Sequence, residues 1–265
     1  MNDTQQERLN YLVEAFKKDS GEYRDLRTPA DAEGKRRILR SLMNIRMPGM
    51  LPPDVLRTQD AYLRARAEEK GVVTLNGIPA AKGILSIWQG DITRLQADAI
   101  VNAANSQMLG CWAPLHNCID NCIHSAAGIQ LRQECYEQML RQGHEEPTGR
   151  AKITLGYNLP SKHVIHTVGP IIPNGAVPTV EQDGQLASCY RSCLDIAEEN
   201  RLQSIAFCCI STGVFNFPNQ RAAEIAVTTV KEWLSSHKAM TIRQVIFNVF
   251  LDKDYDIYQR LLTQD

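Results

Sequence analysis

From Gly71 onward the chain alternates short apolar runs with longer helical patterns, and this rhythm confines it to the α/β class. Strands are predicted over 84–88, 99–102, 163–168, 204–210 and 245–251, with a shorter one over 153–155. An edge strand over 72–75 is expected to enter a tight turn at Asn76-Gly77. Helical patterns fill 120–142, 181–199 and 219–236, and a last helix is expected to start near Asp254. Several runs are apolar throughout rather than alternating, as in strands covered by helices on both faces. The predicted architecture is an α/β sandwich on a mainly parallel sheet, whose ligands gather at loops beyond the strand C-termini.

The segment before that rhythm begins has a helical period. Leu9, Leu12, Val13 and Phe16 recur at helical spacing, as do Ile38, Leu39, Leu42 and Met43. Thr28-Pro29 and the stretch from Met47-Pro48 to Pro52-Pro53 break the pattern, and a third helix is predicted from Pro53 to Gly71. The expected organisation is a helical N-terminal extension over 1–71 followed by an α/β domain over 72–265. The extension is expected to cover an open sheet edge, with docking of a partner protein as its second possible role. Lys35, Arg36 and Arg37 read as a solvated helix face, since no aromatic platform is interleaved with them.

Charge and composition exclude several classes of partner. With 29 Lys+Arg against 30 Asp+Glu, the formal net charge of -1 gives no basis for binding duplex nucleic acid or an anionic membrane. No apolar stretch approaches the ~20 residues that a membrane span needs, and the N-terminus is polar, so a cytoplasmic location is expected. With eight cysteines and no recognisable export signal, metal binding or reduced thiols are favoured over a disulfide framework.

Three loops carry the chemistry. Cys111, His116 and Cys118 form C-x4-H-x-C on one short loop, and two thiolates with an imidazole suit Zn2+ better than Mg2+ or Ca2+. Three protein ligands leave the fourth tetrahedral position open, whereas Cys122 or His124 would close the site, and the spacing leaves both arrangements open. The stretch from Ser211 to Pro218 lies between an apolar run and a helix, where a glycine lets backbone N–H groups approach a phosphate. Gly90-Asp91-Ile92-Thr93 follows the run over 84–88, and Asp91 either accepts from an exocyclic amine or caps a turn.

Taken together, Gly90 to Thr93, Asn102-Ala103-Ala104-Asn105, the helix start from Ile123 to Gly128 and the stretch from Ser211 to Pro218 resemble the macrodomain family. The Cys111-to-Cys118 loop and the helical extension resemble its zinc-dependent microbial ADP-ribosyl hydrolases. The resemblance implies a three-layer α/β/α sandwich with a mixed, mainly parallel sheet and one Zn2+ per chain. It implies that Asp91 and the backbone of Ile92 read adenine, and that Asn105 binds the distal ribose. Ser211, Thr212, Gly213, Val214, Phe215 and Asn216 are then the diphosphate loop, with Phe215 near the distal ribose. Cys111, His116 and Cys118 hold zinc, and Asp120 matches the acidic residue that helps position water in zinc-free relatives. Two positions depart from many relatives: the Cys–His–Cys loop replaces a glycine run, and Asn216 stands where glycine is usual. Asn tolerates φ > 0 better than most residues.

The activity implied is release of ADP-ribose from mono-ADP-ribosylated protein, with a lipoyl carrier protein as acceptor and a sirtuin-like ADP-ribosyltransferase as functional partner. Alternatives are a non-catalytic ADP-ribose-binding module with structural zinc, O-acetyl-ADP-ribose deacetylation, and a zinc scaffold whose N-terminal helices are the functional surface. Other candidates read as structural. His163 and His166 face opposite sides of a strand. Cys189, Cys193, Cys208 and Cys209 read as buried small hydrophobes, and Cys135 has no expected partner. Trp112 is expected to shield the metal loop and His124 to pack behind it, while Asn102 reads as a strand-end structural residue, with support of Asn105 as the alternative.

Overall fold

A computed structural model describes residues 3–237 and 240–263. Three helices come first: α1 (Asp3–Ser20), α2 (Ala32–Ile45) and α3 (Pro53–Lys70). The strands are β1 (Ala80–Lys82), β2 (Leu85–Gln89), β3 (Ala99–Ala104), β4 (Ala151–Leu155), β5 (His163–Val168), β6 (Ser204–Phe207) and β7 (Gln244–Val249). Between and after them lie α4 (Ile119–Ala127), α5 (Ile129–Gln142), α6 (Val180–Glu199), α7 (Asn219–Ser236) and α8 (Asp252–Thr263).

The sheet order is β1-β2-β7-β6-β3-β5-β4. Strands β2, β7, β6, β3 and β5 run parallel, and β1 and β4 close the two edges antiparallel. Ile100, Val101, Ile165, Ile205 and Ile246 are fully buried, which is why their strands are predominantly apolar on both faces. Helices α6, α7 and α8 pack in series against the sheet, while α4 and α5 pair with β3 and β4. The result is the expected three-layer α/β/α sandwich. Parallel strands bring their C-terminal ends to one side, so the loops after β2, β3, β6 and β7 converge there.

Two expected elements differ. Val73 makes a single bridge to Leu95, Leu75–Gly77 is a 3-10 turn, and the edge strand is β1 instead. The backbone groups of Val73 are taken by Arg94 O and Gln96 N from the turn after β2, so 72–75 never reaches the sheet. The helical pattern over 120–142 splits at Gly128, which has φ +98°. A Cβ there would stand 2.7 Å from Gln59 Nε2, so only glycine lets the chain turn this close to α3.

Helices α1–α3 build a core of their own from Leu9, Leu12, Val13, Phe16, Leu39, Leu42, Met43, Val55 and Tyr62. Asp31 caps α2 by accepting from Gly34 N at 2.7 Å. The expected covering of a sheet edge is not what they do: outside their own bundle, α2 and α3 pack on α4 and on the turn after β2. That places them beside the strand C-termini. No helix among the described residues is long and apolar enough to cross a membrane.

Phe207 on β6 is 1% exposed and packs against Tyr190 and Phe247. Phe207→Ala should destabilise the fold by about 3–5 kcal/mol, read as a lowered urea midpoint with unchanged slope. A loss under about 1 kcal/mol would mean that β6 is not the centre of the core.

Candidate functional site

An open cleft lies over the C-terminal ends of the parallel strands. Its lining comes from Asp91 and Ile92 after β2, Asn105 and the Cys111–Cys118 loop after β3, and Ser211 to Phe215 after β6. Residues of α2 and α3 form a further wall.

The Cys111–Cys118 loop has no regular secondary structure and is held by side chains from outside it. Asn121, fully buried, donates from Nδ2 to Ala113 O at 2.9 Å and to Cys111 O at 3.4 Å. Its Oδ1 accepts from Arg40 Nη2 at 2.7 Å, and the same guanidinium nitrogen donates to His116 O at 2.7 Å. Asn44 accepts from Leu115 N at 3.0 Å, holding Leu115 at φ +59°, and donates to Ser125 Oγ at 2.9 Å. Gly110, at φ +79°, lets the loop start directly over the His124 ring, where a Cβ would come within 2.9 Å.

This frame brings the expected metal ligands together: donor atoms of Cys111, His116 and Cys118 all lie within 4.8 Å of one another. Cys111 Sγ is 3.7 Å from His116 Nδ1. Cys118 caps α4, its Sγ accepting from Asn121 N at 3.4 Å. Burial pushes the Cys118 thiol up to about 12, with the neighbouring Cys111 adding to the effect against that hydrogen bond. Two soft thiols and an imidazole at this separation fit a zinc ion by donor chemistry. Neither candidate for a fourth ligand joins them: Cys122 Sγ lies against Arg40 Nη2 at 3.8 Å, and His124 faces away into a buried cluster. The described residues thus offer three ligands on a half-exposed loop, not four.

The buried cluster beneath the loop is larger than expected. Asn102 Nδ2 donates to Asp120 Oδ1 at 2.8 Å and to His166 Nδ1 at 3.1 Å, which leaves the His166 proton on Nε2, 3.0 Å from Thr154 Oγ1. Burial drives His166 down to about 3 and keeps it neutral. His124 is likewise held well below its ordinary value, by burial first and then by His166 and Arg132. Burial pushes the Asp120 carboxyl up to about 6 against the Asn102 hydrogen bond and the Arg132 charge. Cys135, expected to have no partner, lies 3.8 Å from His166 Nε2, and His124, Cys135 and His166 form a second group of potential ligands. Asn102 supports Asp120 directly rather than Asn105.

On the β6 loop, the N–H groups of Gly213, Val214 and Phe215 make no hydrogen bond within the described protein. Three consecutive open amides have the donor chemistry that an anion requires. The loop keeps its shape through Thr212 Oγ1 to Cys209 O at 2.9 Å, Phe217 N to Ser211 O at 2.9 Å and Ile172 N to Phe215 O at 2.8 Å. Ser211 and Asn216 take φ +64° and +58°. Asn216 uses its side chain on Asn174 Oδ1 at 3.0 Å and does not line the cleft, so its part is in the turn.

Asp91 caps the turn, and its second carboxylate oxygen is left free of that cap. Its Oδ1 caps the turn at 92–94, accepting from Thr93 N at 3.0 Å and Thr93 Oγ1 at 2.6 Å, while Oδ2 stays 3.5 Å from Lys70 Nζ at the cleft. Asn105 accepts from Gln107 N at 3.1 Å and donates to Gly110 O at 3.1 Å, bracing the base of the Cys111–Cys118 loop. Trp112 lines the cleft and carries the Arg132 guanidinium 4.1 Å over its ring. Arg132 also donates to Leu109 O, Met43 O and Arg46 O, and burial lowers it to about 10. Sequence reasoning missed Arg40, Asn44, Asn121, Arg132 and the exposed Phe250 at the end of β7. Only sheet order, which sets β7 beside β2, brings Phe250 to the Asp91 end.

Asn44→Ala removes the acceptor of Leu115 N, so amide exchange over 111–118 should accelerate about tenfold, the equivalent of one hydrogen bond of ~1.4 kcal/mol. Unchanged exchange there would show that the loop does not need α2.

Comparison with known proteins agrees with this geometry. The Macro domain family model matches residues 101–226. A protein-ADP-ribose hydrolase of Treponema medium is 48% identical over 98% of this chain and 100% of its own length. One of Staphylococcus aureus (strain MRSA252) is 45% identical over 97% of this chain and 96% of its own. A Trypanosoma brucei macrodomain solved with ADP-ribose superposes with a TM-score of 0.65 at 28% identity, covering 84% of this chain and 94% of that one. Sheet order, cleft position and full-length similarity converge, and this chain belongs to the macrodomain family.

Proposed function

We propose that the protein is a hydrolase that releases ADP-ribose from mono-ADP-ribosylated protein side chains, with a zinc ion held by Cys111, His116 and Cys118. The observation that carries this reading is that the three-donor group and the open amides of Gly213 to Phe215 line one cleft. The near-full-length relatives named protein-ADP-ribose hydrolase support it.

Each part of ADP-ribose then has its own residues. Asp91 Oδ2 accepts from the adenine amine with the Ile92 backbone beside it, and the three amides take the diphosphate oxygens. Asn105 and Phe215 flank the distal ribose, next to the Cys111–Cys118 loop. Zinc bound on that loop supplies Lewis acidity at neutral pH. The chain itself holds the anomeric carbon in place, because adenine and diphosphate contacts remote from the bond orient it. Asp120 is buried below the loop, held by Asn102, and serves to accept a hydrogen bond or proton from water at that end. The acceptor to try first is a lipoyl carrier protein modified by a sirtuin-like transferase.

Protein purified without chelator should contain close to one zinc per chain by elemental analysis. Cys118→Ala should lose the metal and slow release of ADP-ribose from a modified carrier at least ~100-fold, while far-UV circular dichroism stays unchanged. Release that persists after chelation at an undiminished rate would reject the zinc scheme. Retained binding of ADP-ribose with no release from any modified protein would instead identify a reader module. Asp91→Ala should weaken ADP-ribose binding by about tenfold or more in calorimetry, and equal affinity would reject the adenine assignment.

A further inference from the structure

Lys35, Arg36 and Arg37 have the pattern of a solvated helix face, but Arg36 and Arg37 line the cleft. Among the described residues, the charged side chains that α2 and α3 turn toward it are Glu33, Arg36, Arg37, Arg40, Arg66 and Lys70, of which Glu33 alone is anionic. Three of the cations are already engaged nearby: Arg40 on the metal loop, Arg66 with Glu69, and Lys70 with Asp91. Arg36 pairs with Glu33 at 2.9 Å on an exposed surface, where such a pair is weak. Arg37 is exposed and makes no side-chain hydrogen bond or ion pair among the described residues.

Arg40 fixes where this wall stands. Its hydrogen bonds to His116 O and Asn121 Oδ1 lock α2 to the metal loop. Arg36 and Arg37 lie four and three residues before Arg40, one turn farther along the same helix face. They therefore project beside the loop that would hold the distal ribose, the end of ADP-ribose that carries the acceptor. The diphosphate has a separate set of donors in Gly213, Val214 and Phe215. With a molecular net charge of -1, any attraction for an anionic partner must come from a local cluster.

We propose that α2 is the docking wall for the acceptor protein, and that Arg36 and Arg37 select acceptors whose modified side chain is flanked by acidic residues. The proposal rests on the hydrolase reading for what reacts, but the docking step is measurable by itself. Rim charges of this kind act on association and on partner choice. Their effect fades as salt screens them over about 10 Å at 0.1 M ionic strength.

The test uses two mono-ADP-ribosylated peptides of one sequence, flanked by three Glu or by three Gln. Binding of each is read by fluorescence anisotropy before turnover, and release of ADP-ribose is followed separately. The full-length protein should bind the Glu-flanked peptide about tenfold more tightly at low salt, with the preference lost at ~0.5 M salt. Arg36→Gln/Arg37→Gln should abolish the preference while leaving the calorimetric affinity for free ADP-ribose unchanged. Arg37→Gln alone, which leaves the Arg36–Glu33 pair intact, should remove part of it. Equal binding of both peptides by the unaltered protein would overturn the proposal, as would a preference that survives the double variant. A matching loss of free ADP-ribose affinity would also overturn it, because the arginines would then serve the nucleotide. Absence of release from either peptide counts against the hydrolase reading alone, since the anisotropy comparison still decides the docking.

Discussion

An irregular loop whose backbone must be hydrogen-bonded from outside is the constraint on which the site depends. Between Cys111 and Cys118 the chain has neither helix nor strand to satisfy its carbonyls and amides. Asn121 and Arg40 take three of its carbonyls and Asn44 takes an amide, and those partners come from α4 and α2. The N-terminal helices are therefore joined to the chemistry and are more than a cover. Their own apolar core gives Arg40 and Asn44 a rigid base, which is what placing three soft donors within 4.8 Å of one another requires.

Beneath that loop the protein buries two histidines among polar groups and keeps their rings neutral. Asn102 offers both amide hydrogens, one to Asp120 and one to His166, and His166 passes its own proton toward Thr154. With the histidines held neutral by burial, Asp120 faces no fully charged imidazole, and its carboxyl sits close to the neutral range. The His124–Cys135–His166 group belongs to this network, with the His166 ring occupied on both nitrogens. Its burial separates it from the cleft, whereas the Cys111 group is reachable from solvent.

Much of the fold was legible because parallel strands covered on both faces are predominantly apolar on both sides. The strand over 163–168 and the helix over 219–236 coincide with β5 and α7 for that reason and for the clean amphipathic period. The misreadings occurred where local pattern competes with long-range pairing. Val73 satisfies a strand pattern but finds its hydrogen bonds in the turn after β2, and the helical period over 120–142 continues through a glycine that tertiary contact requires. In the site, residues in sequence-local clusters were found, such as Cys111, His116 and Cys118. Arg40, lying 76 residues from the carbonyl it binds, had no local signal.

The amino-acid sequence by itself determined the α/β class, the order of most elements, the donor types of the Cys111–Cys118 loop and the glycine-containing loop after β6. Those properties follow from side-chain chemistry and from periods of two and 3.6 residues, which are written along the chain. The tertiary structure decided which ligands converge, that Cys122 and His124 stay apart from them, that Cys135 has a partner, and that α2 walls the cleft. These are matters of distance between segments far apart in the chain, set by sheet order and helix packing, and no local pattern encodes them.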